Sequence, residues 1–400
     1  MKISIYVPTL IKPLLVSAVS LLSLPVLAAY GDPFEGSGFV SEDWQLVCDN
    51  TLTCRAAGYS SEIAELRGSI MMTLPAGEKL PTTQVVLNYW DDAKAVEDQM
   101  QAQNRQVELW LNDKYFGKVP LNTEERGRGV LTTAQTKLLI DNARKPTKIE
   151  FRIGDYRWQI SDIGMAAVLL KLDEVQGRVG TPSALVSKHN PNRQNLKPAK
   201  ALPKIYAAET YPIAEYDTVT DKAAKRSDEQ KFYQRLSERY DKQWQSKMTG
   251  WVKASIASLD AERREDCNIL SSDQDWFDKE DKVWRFTPID SKHTLASHPC
   301  WTGAYNFGTG YWLIDNDKPA KPKLITLSGS SYAEGEIFAA HKGRGLGDCW
   351  SMKSWVWEGK DFALASEKTT GLCRLIEAGG AWQIPAYVSE VIKITDDKLN

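Results

Sequence analysis

The chain has 400 residues, of which 42% are hydrophobic and 26% are charged, and its formal net charge is −2. This composition is typical of a globular protein long enough for two domains, and it excludes a largely disordered chain. Because the net charge is close to zero, the chain has no general attraction to nucleic acid or to an anionic membrane. We therefore predict no nucleic-acid partner.

Residues 1–28 have the pattern of a cleavable signal peptide. Lys2 and Lys12 precede an apolar run over residues 14–27, and the small residues Ala28 and Ala29 follow it. The alternative is an N-terminal membrane anchor, but the run is shorter than the roughly 20 residues that span a bilayer. The sequence thus predicts an exported chain that does not span the membrane after signal cleavage.

Residues 29–186 are predicted to form an α+β domain with antiparallel strands and two helices. Segments 107–121 and 148–160 each contain two strand-like runs around a turn pair, which is typical of a β-hairpin. Between them, Thr132 and Gln135 have the spacing of a capping box, which predicts a helix that Pro146 ends. The second helix is expected over residues 164–177.

A change of composition follows at residues 187–220, which are rich in proline and cations and lack apolar periodicity. This pattern indicates a linker. Beyond it, apolar residues recur every four positions and predict a long amphipathic helix. The residues of this face are Phe232, Leu236, Tyr240, Trp244 and Met248. The face either packs on its own domain or fills a groove on a partner.

Residues 221–400 are predicted to form the second domain, in which this helix precedes an antiparallel β-rich part. Short strand-like runs such as "GYWLID", "KLITLSG" and "SWVWEG" alternate with turn residues at fairly regular spacing. The expected fold of the whole chain is therefore α+β, with an α+β first domain and a β-rich second domain.

Six cysteines in an exported chain indicate disulfide bonds. The simplest pairing follows sequence order: Cys48–Cys54, Cys267–Cys300 and Cys349–Cys373. The alternative is a zinc site. The sequence has no CxxC pair, however, and His298 with Cys300 would supply only two ligands.

The segment "KGRGLGDCW", residues 342–350, combines three glycines with charged residues and a cysteine. It lacks the lysine and hydroxyl pair of a phosphate-binding loop, and Asp348 stands where a dinucleotide-binding pattern needs its third glycine. The segment is either a tight turn, in which Asp348 pairs with Arg344 or accepts backbone N–H bonds, or a ligand site that includes Arg344, Asp348 and Trp350. A bridged Cys349 cannot act as a nucleophile.

Catalytic signatures are weak elsewhere too. The chain has no GxSxG motif, and no acidic pair is singled out by its spacing. We predict no catalytic residue, no metal and no cofactor.

Tryptophan is abundant in the β-rich half, and Trp355 and Trp357 alternate along one predicted strand. Alternate strand residues share a face, so both side chains should lie together, with Val356 on the opposite face. If this face is exposed, the two indoles form a platform for a sugar or a protein partner; if it is buried, they are part of the core.

The segments "WQLVCDNTLTCRAAGY", "LLKLDEVQGRVGTPSALV" and "CWTGAYN", the "KGRGLGDCW" segment and Cys373-Arg374 resemble the proteobacterial family catalogued as domain of unknown function 1176. The resemblance covers about residues 40–390. The N-terminal part is more weakly similar to the invasion-associated locus B family. The resemblance implies a periplasmic protein of a Gram-negative bacterium and gives no catalytic residues. Trp350 follows Cys349 where a small residue is expected, which weakens the case for a functional loop tip.

Three functions remain open on this basis. The first is a non-catalytic envelope protein that binds a partner protein or a glycan such as peptidoglycan, with Arg344, Asp348, Trp350, Trp355 and Trp357 as candidate binding residues. The second is a hydrolase that acts on envelope polysaccharide. The third is an inhibitor that plugs the cleft of another envelope enzyme with the "KGRGLGDCW" loop.

Overall fold

The computed structural model describes residues 38–89, 93–122, 127–188, 196–211, 240–257, 259–260, 265–270 and 284–394. The predicted signal peptide lies outside these residues, as do Phe232 and Leu236 of the predicted amphipathic face. Within the described residues the chain is α+β, with far more strand than helix. Among these same residues, no helix combines the length and hydrophobicity that crossing a membrane requires.

A six-stranded antiparallel sheet begins the described chain. Its strands are β1 (Gly38–Ser41), β2 (Trp44–Cys48), β3 (Cys54–Tyr59), β4 (Gly68–Leu74), β5 (Thr82–Leu87) and β8 (Arg128–Val130). They pair in the order β1-β2-β3-β4-β5-β8.

A four-stranded antiparallel sheet shares a core with the first. Its strands are β6 (Gln106–Leu111), β7 (Lys114–Pro120), β9 (Ile149–Ile153) and β10 (Tyr156–Ile160), in the order β10-β9-β6-β7. The two predicted hairpins are β6–β7 and β9–β10. Leu109 and Phe151 of this sheet lie in the same buried cluster as Trp44 and Ile70 of the six-stranded sheet.

Three helices close this core: α1 (Ala93–Ala102), α2 (Thr133–Asn142) and α3 (Met165–Val175). The last two are the helices predicted from sequence, and α1 is additional. The capping box of α2 is confirmed, because the Gln135 N–H donates to Thr132 Oγ1 at 3.2 Å and the Thr132 N–H donates to Gln135 Oε1 at 2.9 Å. Helix α1 buries Val96 and Met100, one turn apart, in the core.

The second half contains two antiparallel sheets that share a buried cluster. The four-stranded one has β12 (Arg285–Pro288), β13 (His293–Thr302), β14 (Phe307–Asp315) and β15 (Lys323–Gly329). The five-stranded one has β16 (Ser331–Ala333), β17 (Glu336–Lys342), β18 (Trp350–Trp357), β19 (Phe362–Thr369) and β20 (Ile384–Tyr387). Leu295 and Leu313 of the four-stranded sheet pack with Ile337 of the five-stranded one.

Helix α4 (Lys242–Ala257) is the described part of the predicted amphipathic helix. The long helix is not confirmed, because the described helix begins only at Lys242. Met248 and Val252 are buried against the β12–β15 sheet, and Tyr240 and Trp244 pack on the same cluster with their rings stacked at 4.0 Å. The aromatic face that is described therefore packs within the protein.

Two features connect the halves of the chain. Strand β11 (Lys204–Ala207) lies within the predicted linker and pairs in parallel with β21 (Glu390–Lys393). Ile376 and Trp382 share a buried cluster with Tyr59 of the six-stranded sheet. The indole N–H of Trp382 donates to Ser69 Oγ at 2.7 Å. The linker boundaries stay a prediction, but part of that segment is a strand.

Candidate functional site

The "KGRGLGDCW" segment is the connection between β17 and β18. These strands pair up to Lys342 and Trp350, so residues 343–349 form the loop, which we call the braced loop. The Gly343 N–H donates to the Cys349 carbonyl at 3.0 Å and closes the loop at its base. Gly347 has a φ of 68°, a left-handed conformation that favours glycine. The glycines of the segment therefore serve a tight loop between strands.

An ion pair holds the loop from inside. Arg344 Nε donates to Asp348 Oδ1 at 2.8 Å and Arg344 Nη2 donates to Asp348 Oδ2 at 2.6 Å, a bidentate arrangement. Asp348 is 4% exposed and also accepts the Leu375 N–H at 2.7 Å. The two structural roles proposed for Asp348 from sequence are thus both present.

These contacts shift the pKa values of Asp348 and Arg344. Burial raises the pKa of Asp348, but the hydrogen bonds from Arg344 and the Leu375 N–H, with the charge of Arg344, outweigh it and leave the pKa below its ordinary value. The hydrogen bond to Asp348 raises the pKa of Arg344, although burial opposes it. Both side chains are therefore charged at neutral pH.

The disulfide pairing in sequence order is confirmed: Cys48–Cys54, Cys267–Cys300 and Cys349–Cys373. Cys349–Cys373 fixes the end of the braced loop to the segment that packs on the first half. Asp348, Cys349 and Cys373 have potential ligand atoms within 4.8 Å of one another, but both sulfurs are bonded and offer no thiolate to a metal. The same bond removes Cys349 as a nucleophile.

Trp350 braces the loop instead of extending from it. Its indole N–H donates to the Gly347 carbonyl at 2.9 Å, and the Lys342 ammonium lies 5.4 Å from the centre of its ring. The Trp350 backbone N–H donates to Thr370 Oγ1 at 2.8 Å. The large residue at this position therefore fixes the loop to its own sheet.

The tip of the loop is open, in contrast to its base. Leu346 is 70% exposed, and Gly345 beside it is also exposed. Tyr305, 46% exposed on the β13–β14 hairpin, would contact a Cβ placed on Gly345 at 3.5 Å, and its hydroxyl donates to the Gly343 carbonyl at 3.4 Å. We call Arg344, Leu346 and Tyr305 the tip patch.

A second arginine ties the loop region to the first half of the chain. Arg374, next to Cys373, pairs with Asp43 at 2.8 Å and with Glu62 at 3.4 Å, and its side chain is only 12% exposed. This residue belongs to the Cys-Arg pair that carried the family resemblance, and here its contacts are structural.

Trp355 and Trp357 share one face of β18, and Val356 packs in a different cluster on the other face, as expected. Trp357 is 1% exposed and lies 4.8 Å from His293 and 5.3 Å from Phe362, measured between ring centres. Trp355 is partly buried against the same cluster. Of the two alternatives drawn from the sequence, the core one describes Trp357, because residues of the β12–β15 sheet cover it. A binding role for the partly buried Trp355 stays a prediction.

One aromatic pair that was not predicted from the sequence lies at the surface elsewhere, with Tyr115 49% exposed and Trp110 partly buried. Trp110 and Tyr115 lie on the β6–β7 hairpin with ring centres 5.7 Å apart. The signal was present in "QVELWL", where Val107, Leu109 and Leu111 alternate with polar residues and Trp110 falls on the polar side.

Comparisons with known proteins add one match. A family model described as "Protein of unknown function (DUF1176)" matches residues 38–389. No curated protein and no solved structure matches the chain. The weaker N-terminal resemblance to the invasion-associated locus B family is not shown by these comparisons and stays a prediction.

Proposed function

Because the chain belongs to the DUF1176 family, whose description assigns no activity, we propose a function from the geometry: a non-catalytic periplasmic protein that binds a partner protein through the tip patch. Three disulfides and the predicted signal peptide support an oxidising, exported location.

The observation that carries this proposal is the contrast between the fixed base and the open tip of the braced loop. A disulfide, a bidentate ion pair and an indole hydrogen bond hold the base, while Leu346 is 70% exposed. A preordered loop loses little conformational entropy when it binds, so more of its contact energy becomes affinity.

The composition of the tip patch suits a protein partner. Arginine and tyrosine are enriched among the residues that dominate protein interfaces, and the exposed Leu346 supplies apolar area. Asp348 and Cys349 are both engaged within the loop, so the loop offers groups for recognition instead of a nucleophile or a base.

A second candidate is a special case of the first, in which the partner is an enzyme and the loop fills its cleft. The braced loop favours this candidate because its two exposed residues, Gly345 and Leu346, form a narrow tip on a rigid base. In that case the purified protein would reduce the activity of its partner.

Site-specific photo-crosslinking in cells tests the proposal. A benzophenone amino acid replaces Leu346 in one strain and Leu170, 45% exposed on α3, in a control strain. We expect a discrete protein adduct at position 346 and not at position 170. The Arg344→Ala change in the position-346 protein should reduce the adduct at least about fivefold, equivalent to about 1 kcal/mol.

The proteins substituted at positions 346 and 170 must first have the unfolding midpoint of the parent protein, and the Arg344→Ala protein must remain folded at the temperature of the crosslinking, so that adduct yield reports binding. The proposal is wrong if position 346 gives no adduct, or if positions 346 and 170 give the same adducts.

A further inference from the structure

The outer face of the β10-β9-β6-β7 sheet is a second surface that offers side chains to a ligand. The inner face is core, where Leu109 and Trp158 are both 0% exposed. Side chains of alternate residues point to opposite faces of a strand. The residues between the core positions therefore face outward, and Tyr115, Arg157 and Gln159 are exposed there.

Strand register aligns these outward residues in two rows across the sheet. One row is Gln159, Glu150, Trp110 and Tyr115. The other row is Arg157, Arg152, Glu108 and Lys118. Glu150 is buried and Trp110 is partly buried, so the side chains that the two rows expose to a ligand are those of Tyr115, Lys118, Arg157 and Gln159. We call this surface the sheet platform.

The aromatic pair of the platform is fixed in place. The indole N–H of Trp110 donates to Glu108 Oε2 at 3.0 Å, and the guanidinium carbon of Arg152 lies 4.4 Å from the centre of the Trp110 ring. Tyr115 packs at 59° to Trp110 and is 49% exposed. The Tyr115 ring is thus supported on one side and open to solvent on the other.

Charged groups of both signs surround this pair and neutralise each other. Arg152 donates to Glu150 and, at 2.6 Å, to Asp113 Oδ1. Lys148 Nζ lies 3.2 Å from Glu150 Oε1 and 3.6 Å from Asp113 Oδ1. The platform therefore combines many hydrogen-bonding groups with little excess charge.

At the β10 edge the platform continues into an open groove of about 860 Å³. Arg157 and Gln159 line the groove as well as the platform, and Arg67 and Asn88 also line it. This volume lies within the range of roughly 300–1,000 Å³ that ligand sites occupy. The groove adds amide and guanidinium groups at the β10 edge, three strand spacings, or about 14 Å, from Tyr115 on β7, a span that a chain of several sugars can cover.

We propose that the sheet platform and its groove bind a glycan chain. An aromatic ring gives broad apolar contact to the C–H face of a sugar ring at low entropic cost, as Tyr115 can do here. Amide and guanidinium N–H groups donate to sugar hydroxyls, and amide and carboxylate oxygens accept from them. The balance of charges favours a neutral or weakly charged glycan over a polyanion such as nucleic acid.

This inference goes beyond the proposed function and does not depend on it. The sheet platform lies in the first half of the chain, and none of its residues belongs to the braced loop. A loss of glycan binding and a loss of the partner adduct therefore test different surfaces.

Calorimetric titration of the purified protein with two tetrasaccharides tests the inference. One is built from N-acetylglucosamine, the sugar chemistry of peptidoglycan, and the other from glucose, the chemistry of neutral polysaccharides. We expect binding to at least one, and the better ligand identifies the source. Tyr115→Ala should weaken binding at least about tenfold, as expected for a residue that dominates its contact.

Tyr206→Ala is the matched control, because Tyr206 is 50% exposed on β11, outside the platform. It should leave the affinity within about twofold of the wild type, as should Leu346→Ser. The inference is overturned if neither tetrasaccharide binds, or if the two tyrosine variants weaken binding equally. It is also overturned if Tyr115→Ala abolishes only self-association, which would make the platform a protein interface.

Discussion

Two arginine–aspartate networks, one in each half of the molecule, use the same residue types for different ends. Asp173 and Arg178 lie in the first half, and Arg344 and Asp348 lie in the braced loop. Both come from segments that carry the family resemblance. Asp173 and Arg178 are each 0% exposed, whereas the Arg344 side chain is 36% exposed next to an open loop tip.

The first network is closed on itself. The Asp173 carboxylate accepts the Leu185 N–H at 2.8 Å and the Val186 N–H at 3.0 Å. Arg178 donates to Gln176 Oε1 at 2.6 Å and to the carbonyl of Ser183 at 3.2 Å. Burial raises the pKa of Asp173 and lowers that of Arg178, as expected for charges removed from water. Every one of these contacts orders the chain after α3.

The residue types of a polar motif therefore do not reveal whether it holds the fold or serves recognition. A network whose partners are all internal holds the fold, and a network that supports an exposed tip can also serve recognition. Exposure of the neighbouring side chain distinguishes the two cases, and exposure depends on the tertiary structure.

The largest loss of stability is expected when Arg178, in the network of the first half, is replaced. Arg178→Met removes the buried hydrogen bonds to Gln176 and Ser183 and the positive charge that acts on Asp173, and it should lower the free energy of unfolding by about 3–5 kcal/mol. Urea denaturation at neutral pH measures it, and Arg157→Met on the exposed outer face is the control, with a change within about 0.5 kcal/mol. Equal losses in the two variants would contradict the structural role of Arg178.

The next effect compares two disulfides. Replacing Cys349 and Cys373 by serine should cost about 2–4 kcal/mol, because the bond restricts the unfolded chain. The Cys48–Cys54 bond spans 6 residues and Cys349–Cys373 spans 24, so the entropic cost of loop closure predicts a difference of about 1.2 kcal/mol. Urea denaturation of this double variant and of the one in which serine replaces Cys48 and Cys54 tests which disulfide contributes more stability. A larger loss for the short bond would show that native-state packing dominates.

A smaller effect is the pH dependence of stability that comes from His341, near the C-terminal end of β17. Burial lowers the pKa of His341, and the hydrogen bond to the Phe307 carbonyl at 3.2 Å offsets this only in part. The unfolded chain then binds the proton more readily, so stability should fall as pH drops below about 6.5, until the folded pKa is passed. His341→Gln should show a flatter dependence. Identical slopes for wild type and variant would contradict this assignment.

Local features of the fold were predictable from sequence where neighbouring residues decide them. The side chains of Thr132 and Gln135 each accept the backbone N–H of the other residue within one helical turn, so the start of α2 could be predicted. Helix α1 was missed because, among its described side chains at residues 94–102, only Val96 and Met100 are buried in the core, too few apolar positions for a periodic pattern.

The candidate site was less predictable, because burial on each sheet face depends on what packs over it. Alternation correctly placed Trp355 and Trp357 together, but only the tertiary structure shows that the β12–β15 sheet covers Trp357. The same alternation is present around Trp110, but the sheet platform was not predicted. Some of its ion pairs join residues that are distant in sequence, such as Arg152 and Asp113, which are 39 positions apart.

The contrast between the tip and the base of the braced loop is measured most directly by comparing Leu346→Ser with Asp348→Asn in one urea denaturation experiment. We expect Leu346→Ser to stay within about 0.5 kcal/mol of wild type, because the Leu346 side chain is exposed. We expect Asp348→Asn to lose about 1–3 kcal/mol, because the buried hydrogen-bond donors around Asp348 lose their acceptor or its charge. If Leu346→Ser were as destabilising as Asp348→Asn, the tip would be part of the packed structure and not a surface for recognition.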